Sequence, residues 1–219
     1  MVLKLISNSQ IRTKPNGWTL GAVASLLMLA ALDQTIVTTA LPAIVSDLGR
    51  LDQLSWIVTA YLLTSTISAP VYGKLGDMIG RKIMMQAAVI IFLLSSLAAA
   101  MANTMTWMII ARAAQGLGGG GLFVLAFTLV GDIVPMRDRG KIQGLFATVF
   151  GFSSIVGPLA GGFFVDTLSW HWIFLINIPI GFSALLILHK RLEKEQKKIA
   201  ISNLKLDYFG LLFLSLFLA

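Results

Sequence analysis

Apolar runs long enough to cross a membrane dominate this sequence and restrict it to one fold class. A helix rises about 1.5 Å per residue, so about 20 apolar residues cross the hydrocarbon core of a bilayer. Charged residues make up 12% of the 219 residues, which is roughly half of their usual share in soluble domains. The strict alternation of a membrane barrel is absent from the sequence. We therefore expect an all-α polytopic membrane protein with six spans, at about residues 18–41, 55–72, 83–101, 106–130, 142–165 and 172–188.

The positively charged residues cluster on one side of these predicted spans, and this asymmetry indicates the orientation of the chain. Of the 17 Lys and Arg residues, 15 lie in the segments 1–16, 73–82, 131–141 and 189–206, whereas the connections on the other side hold only Arg50. Cytoplasmic loops of membrane proteins carry an excess of Lys and Arg. The asymmetry therefore predicts a multi-pass membrane protein with a cytoplasmic N-terminus, and we expect it in the plasma (cell inner) membrane. The net charge of +7 then reflects topology, and we expect no nucleic-acid partner.

The predicted bundle occupies residues 17–188 and is followed by a basic cytoplasmic linker, residues 189–206. The next apolar run begins at Asp207, and only about 12 residues follow it, whereas a span needs about 20. We therefore expect residues 207–219 to be the truncated start of a seventh helix.

The segment Gly73–Lys82 (GKLGDMIGRK) stands out because it places charges and glycines between two apolar spans. Glycine allows tight turns and close approach of the backbone. Asp77, Arg81 and Lys82 can form a charge cluster instead of simply facing water. We expect a compact cytoplasmic loop here.

Asp33 and Arg112 are the two charged residues inside the predicted spans. Counted from the same outer surface, Asp33 lies about 12 Å deep and Arg112 about 9 Å deep at 1.5 Å per residue. These depths fit one shared pocket or a direct ion pair. Charged residues within a membrane usually have transport or proton-transfer roles, so we favour a functional pair. A structural salt bridge that never contacts substrate is the alternative.

Small residues form stripes on the fourth and fifth predicted spans. Arg112 and Gln115 begin a helical stripe that continues through Gly116, Gly119 and Gly120, where another helix or a ligand can approach closely. For these glycines alone, simple helix packing is the preferred interpretation. The fifth span carries a similar stripe around Pro158, which removes a helical hydrogen bond and favours a kink.

The sequence contains none of the patterns that would indicate an enzyme or a metal site. It has no cysteine, no phosphate-binding loop and no Ser–His pair within a span. His171 and His189 lie at the ends of predicted spans without a second suitably spaced ligand. We expect neither catalytic activity nor a cofactor.

Several segments match, in the correct order, the motifs of one transporter family. Residues 73–82 resemble the signature G-x-x-x-D-[RK]-x-G-[RK]-[RK] between the second and third helices, with Met78 in place of a basic residue. The other matching segments are LDQTIVTTALP (32–42), RAAQGLGG (112–119), GPLAGG (157–162), WHWIFLINIPIG (170–181) and DYFG (207–210). Together they resemble the fourteen-helix drug:proton antiporters of the major facilitator superfamily, over about residues 17–219.

This resemblance implies the six-helix N-terminal half of a transporter that exports hydrophobic, drug-like or cationic compounds by alternating access. A proton gradient would supply the energy, without a cofactor. The partners would be a small-molecule substrate, the lipid bilayer and the missing C-terminal half. An uptake symporter of the same superfamily and a non-transporting truncated membrane protein, such as a sensor or partner subunit, are the alternatives.

The resemblance also implies roles for individual residues. Asp33, Arg112 and Gln115 would form the proton-coupling and substrate cavity, in which a nearby cation favours the carboxylate form of Asp33. The cytoplasmic conformational latch would comprise Gly73, Asp77, Gly80, Arg81, Lys82 and Asp132. The antiporter motif of the fifth helix would comprise Gly157, Pro158, Gly161 and Gly162.

Overall fold

The computed structural model describes residues 17–191, which form a bundle of helices. Its elements are α1 (Gly17–Leu48), a 3₁₀ turn (Leu51–Gln53), α2 (Leu54–Ile79), α3 (Arg81–Ala100), α4 (Met105–Ile133), α5 (Met136–Thr167), α6 (Trp172–Leu175) and α7 (Asn177–Arg191). Residues 17–191 contain no strand, which confirms the all-α fold class. The predictions for residues 1–16, 207–219 and most of the linker 189–206 lie outside the described residues.

Six membrane-capable spans are present in the described part of the chain, the last formed by α6 and α7 together. The helices run antiparallel in sequence order, so one end of the bundle carries Lys74, Arg81, Lys82, Arg137, Arg139 and Lys141. We call this the basic end. Most helices are longer than the predicted spans, because charged residues mark the membrane boundary and do not by themselves end a helix.

The structure shows helices where the sequence predicted a loop at Gly73–Lys82. α2 continues to Ile79 and α3 begins at Arg81, so the connection is the single residue Gly80. Gly80 has φ 112°, in the region that residues with a Cβ rarely adopt. One glycine therefore reverses the chain, and the charged residues around it lie on helices.

The fourth helix packs between α2 and α3 through its glycines. A Cβ at Gly120 would lie 2.1 Å from the carbonyl oxygen of Ser65 on α2, and one at Gly118 would lie 2.7 Å from the carbonyl oxygen of Ala88 on α3. Gly116 and Gly119 meet Tyr61 on α2 equally closely. These glycines therefore serve close helix packing, which is the interpretation preferred from the sequence.

Two buried apolar clusters fill the bundle, one towards each end. The cluster near the basic end includes Leu26, Phe92 and Leu125. The cluster near the other end includes Ile36 and Met108. On α1, α3, α4 and α7 the boundary between these clusters is occupied by buried polar residues. The fold thus positions a polar layer in the middle of a membrane-spanning bundle.

Candidate functional site

The polar layer consists of five buried side chains from four helices. Asp33 lies on α1, Ser96 on α3, Arg112 and Gln115 on α4, and Asn177 at the start of α7; each is at most 1% exposed. Two of them carry formal charge, so their burial is costly unless they are paired and hydrogen-bonded. The hydrogen bonds within the layer meet this requirement.

The Asp33 carboxylate accepts a hydrogen bond from each of three side chains. Arg112 Nη1 donates to Oδ2 at 2.6 Å. Gln115 Nε2 and Asn177 Nδ2 donate to Oδ1 at 2.8 Å and 2.9 Å. Asp33 and Arg112, for which the sequence predicted similar depths, therefore form a direct ion pair. Gln115 forms hydrogen bonds with both of them.

Arg112 has several partners besides Asp33. Its Nη1 donates to Gln115 Oε1 at 2.6 Å, and its Nε donates to the carbonyl oxygen of Ile57 at 3.3 Å. The guanidinium carbon lies 4.2 Å from the centre of the Tyr61 ring, a favourable cation–π distance. The positive charge is therefore stabilised from α2 as well as from α1.

Sequence reasoning missed Ser96 and Asn177. Ser96 Oγ accepts from Gln115 Nε2 at 2.8 Å and from Asn177 Nδ2 at 3.2 Å, and donates to the carbonyl oxygen of Phe92 at 2.9 Å. Ser96 thus holds both amides that contact Asp33. Asn177 lies in the segment 170–181, which matches a motif. Its polar side chain within an apolar run could have identified it as a candidate site residue.

A second charged cluster lies at the basic end and includes three of the predicted latch residues. Arg81 Nη1 lies 2.6 Å from Asp132 Oδ2, and Arg81 Nη2 lies 3.0 Å from Asp77 Oδ1. Arg81 also donates to the carbonyl oxygen of Thr128. The start of α3 is therefore tied to the ends of both α2 and α4.

The remaining latch residues have different structural roles. Lys82 Nζ donates to the carbonyl oxygen of His189 on α7 at 2.8 Å, so it also connects α3 to α7. Gly80 forms the turn. A Cβ at Gly73 would make only an ordinary contact with Val124, at 3.8 Å.

Arg139 is a further residue at the basic end that sequence reasoning did not select. It donates to the carbonyl oxygens of Val134 and Gly131. Together with the Arg81 bond to Thr128, this places two arginine side chains on carbonyl groups near the C-terminal end of α4. Cations at a helix C-terminus are favourable because they oppose the partial negative charge there.

The glycine motif of α5 divides into two faces. Gly157 and Gly161 are buried against α1, where a Cβ at Gly157 would lie 1.9 Å from Thr35 Oγ1. Pro158 is exposed, and a Cβ at Gly162 would meet no atom within 4 Å. Only half of the motif therefore mediates packing of α5 against α1 in this structure.

The polar layer has the groups needed for acid–base chemistry and for electrostatic stabilisation in the bundle interior. Within the described residues, no group of three or more His, Cys, Asp or Glu side chains could hold a metal ion. The polar layer instead places one carboxylate, which can bind a proton, beside one permanent cation.

Comparisons with known proteins agree with this architecture. The sequence profile of the Major Facilitator Superfamily matches residues 23–217. The chain is 44% identical over 171 residues to the multidrug transporter protein MdtP of Bacillus subtilis (strain 168), covering 78% of this chain and 32% of that protein. It is also 44% identical over 184 residues to multidrug resistance protein 3 of the same organism, covering 82% of this chain and 36% of the relative.

Solved structures show the same fold at low sequence identity. A D-xylose–proton symporter matches with a TM-score of 0.71 and 15% identity, over 81% of this chain and 48% of that one. The human organic anion transporter MFSD10 matches with a TM-score of 0.69 and 19% identity, over 83% of this chain and 48% of that one. The chain thus spans about a third of the length of the curated relatives and about half of these structures.

Proposed function

The chain belongs to the major facilitator superfamily, and we propose that it provides the N-terminal six-helix half of a proton-coupled exporter of hydrophobic or cationic compounds. The names of its 44%-identical relatives, a multidrug transporter protein and a multidrug resistance protein, support this substrate class. In this proposal the transporter lies in the plasma (cell inner) membrane. The basic end faces the cytoplasm, as the distribution of Lys and Arg favours.

The observation that carries the proposal is the buried ion pair between Asp33 and Arg112. Proton binding neutralises Asp33 and weakens its attraction to α4. Arg112 keeps its bonds to Gln115 and to the Ile57 carbonyl oxygen, and its contact with the Tyr61 ring. Asp33 is therefore the member of the pair that can change charge while its partner remains stabilised.

Coupling follows from the competition between a proton, Arg112 and a cationic substrate for the same carboxylate. A charged Asp33 attracts a cationic substrate from the cytoplasmic side, and a neutral Asp33 releases it after a proton arrives from outside. The cluster of Asp77, Arg81 and Asp132 acts as the conformational latch at the cytoplasmic end. The energy source is the proton gradient.

Gradient-driven transport of a lipophilic cation tests the proposal directly. The complete transporter is reconstituted in liposomes, a pH gradient of either direction is imposed, and ethidium movement is measured. We expect transport against the proton flux in the wild-type protein, and loss of gradient dependence in Asp33→Asn. Asp52→Asn removes an exposed carboxylate at the other end of the bundle and should behave as wild type.

Three outcomes would overturn parts of this proposal. Intact gradient dependence in Asp33→Asn would exclude Asp33 as the proton site. Transport in the same direction as the protons would establish an uptake symporter instead of an exporter. Coupled transport by liposomes that contain only residues 1–219 would contradict the need for a second half, because we expect that half to form part of the cavity.

A further inference from the structure

Asn177 is a polar residue at the start of α7, and it is followed by Pro179 and Gly181, which affect its position. Pro179 has no N–H to donate to the carbonyl group four residues earlier. The helical hydrogen-bond pattern therefore breaks between α6 and α7, although Ile176 keeps helical angles of φ −61° and ψ −25° and its N–H still donates to the carbonyl oxygen of Trp172. A Cβ at Gly181 would lie 2.5 Å from Leu93 Cδ2, so glycine allows α7 to approach α3 closely. Asn177 therefore enters the polar layer from an interrupted helix that is held close to its neighbours.

The surroundings of the Asp33 carboxylate are suited to its charged form. The hydrogen bonds that Asp33 accepts from other side chains within residues 17–191 all come from N–H groups, on Arg112, Gln115 and Asn177. A protonated carboxyl group carries an O–H that needs an acceptor. At least one neighbour must therefore rearrange when Asp33 binds a proton.

Asn177 can make this change with less disruption than Gln115. Gln115 Oε1 already accepts from Arg112 Nη1 at 2.6 Å, so turning that amide would bring an NH₂ group against the guanidinium. Both bonds of Asn177 come from Nδ2, to Asp33 and to Ser96. A half-turn of its amide presents Oδ1 to the carboxyl proton, and the Ser96 hydroxyl can rotate to donate to Asn177.

We propose that Asn177 is a positioning residue that distinguishes charged from neutral Asp33 and transmits the difference to the junction of α6 and α7. This inference rests on the proposed function, in which Asp33 binds the coupling proton. With charged Asp33, the amide donates a charge-assisted bond that holds the start of α7 against α1. With neutral Asp33, a weaker neutral bond replaces it, and the junction at Ile176 loosens.

Other ionisable side chains lie near this site. Arg112 on α4 bonds to Asp33, and the Tyr61 ring on α2 lies against the Arg112 guanidinium. His171 immediately precedes α6 and stacks on Trp170 with ring centres 3.7 Å apart. Because a histidine can change charge near neutral pH, the test includes His171→Gln.

Hydrogen–deuterium exchange of residues 172–183 tests the inference without measuring transport. The complete transporter in lipid nanodiscs is compared between neutral and acidic pH, and amide protection factors remove the intrinsic pH dependence of exchange. We expect wild-type protection to fall roughly tenfold as Asp33 is protonated, which corresponds to replacing a hydrogen bond to a charged group by a weaker neutral one. His171→Gln should keep this change.

Asn177→Leu replaces the amide with an apolar side chain of similar size and should abolish the pH-dependent change in protection. Asn177→Ser removes the amide while keeping a polar group, and the same result is expected if the leucine variant does not fold. Asp33→Asn should also abolish the change. Ser183→Ala is the control: its hydroxyl is exposed and bonds only within α7, to the carbonyl oxygen of Ile180 at 2.8 Å.

The inference is wrong if wild-type protection does not change with pH, or if Asn177→Leu retains the full change. It is also wrong if Ser183→Ala or His171→Gln abolishes the change, because the response would then not depend on the Asp33–Asn177 contact. Failure of the proposed function would be recognised by a different result. In that case gradient-driven transport would survive Asp33→Asn, regardless of the hydrogen–deuterium exchange measured at α6 and α7.

Discussion

Arg112 on α4 and Asp33 on α1 form an ion pair in the middle of the bundle, with Arg112 Nη1 2.6 Å from Asp33 Oδ2 and both side chains almost fully buried. Removing two charges from water is expensive, and their attraction offsets this cost only with good geometry and further hydrogen bonds. A purely structural contact could be made more simply by apolar residues. This cost favours a functional interpretation of the pair.

Removing the positive member should destabilise the protein more than removing both charges. Arg112→Met leaves Asp33 buried without its partner, so we expect a loss of about 3–5 kcal/mol in unfolding free energy. Adding Asp33→Asn should recover much of this loss. Denaturant unfolding in detergent measures both variants. The exposed pair of Arg50 and Asp52 provides the control, since Arg50→Ala should change stability by about 1 kcal/mol at most; equal effects of Arg112→Met and Arg50→Ala would refute the expectation.

Ser96 and its neighbour Ser95 form a matched pair on α3. Ser96→Ala removes an acceptor from two buried amides and should cost about 1–3 kcal/mol. Ser95→Ala removes only a bond to the carbonyl oxygen of Ile91 within the same helix, so its effect should be clearly smaller. Thermal unfolding of the two variants side by side checks the order, and a larger effect at Ser95 would contradict the assignment of Ser96 to the polar layer.

The two carboxylates that contact Arg81 should contribute unequally to the latch. Asp132 lies 2.6 Å from Arg81 on a different helix and is 43% exposed, whereas Asp77 is 3.0 Å away and 66% exposed. We expect Asp132→Asn to shift the transporter away from the latched state more than Asp77→Asn does.

Site-specific labelling can measure this shift because residues 1–219 contain no cysteine. Single cysteines introduced on the cytoplasmic side of the complete transporter, in a background free of other cysteines, report accessibility in each variant. Lys141→Ala, which removes an exposed contact with Asp138, should leave accessibility unchanged. If Asp132→Asn and Asp77→Asn both alternate normally between the inward-facing and outward-facing states, the cluster is only part of a structural turn and not a conformational latch.

Gly157 and Gly162 on α5 should respond to alanine in opposite directions. A Cβ at Gly157 would lie 1.9 Å from Thr35 Oγ1, and such overpacking costs about 1–3 kcal/mol. Gly162 has open space around it, and alanine should stabilise the helix by up to about 1 kcal/mol. Unfolding midpoints test the difference in sign, and a tolerated Gly157→Ala would contradict the close contact between α1 and α5.

Gly80 and Gly73 provide a second pair, which separates backbone strain from packing. Gly80 has φ 112°, and a residue with a Cβ in such a conformation costs roughly 1–3 kcal/mol. Gly73 is helical with only one ordinary contact, so Gly73→Ala should be neutral or slightly stabilising. If Gly80→Ala unfolds like the wild-type protein, the one-residue reversal between α2 and α3 is wrong.

Some features of the site are missing from the sequence interpretation for a clear physical reason. Serine is common in membrane helices, where it often bonds to its own backbone, so Ser96 could not be distinguished from Ser95 before the packing was known. The charges of Gly73–Lys82 predicted the end of a membrane span, but they did not show that α2 continues through them to Ile79. The glycines of α5 likewise gave no indication of which ones face α1.

The sequence by itself determined the number and order of the spans and predicted similar depths for the two charges inside them. Depth can be counted, because every helical residue adds a constant rise along the helix axis; this placed Asp33 and Arg112 at similar levels. The tertiary structure decided which residues at that level meet. Helix rotation and neighbour choice depend on how glycines and apolar side chains pack. They bring Asn177 to the Asp33 carboxylate and Ser96 to the two amides that donate to it.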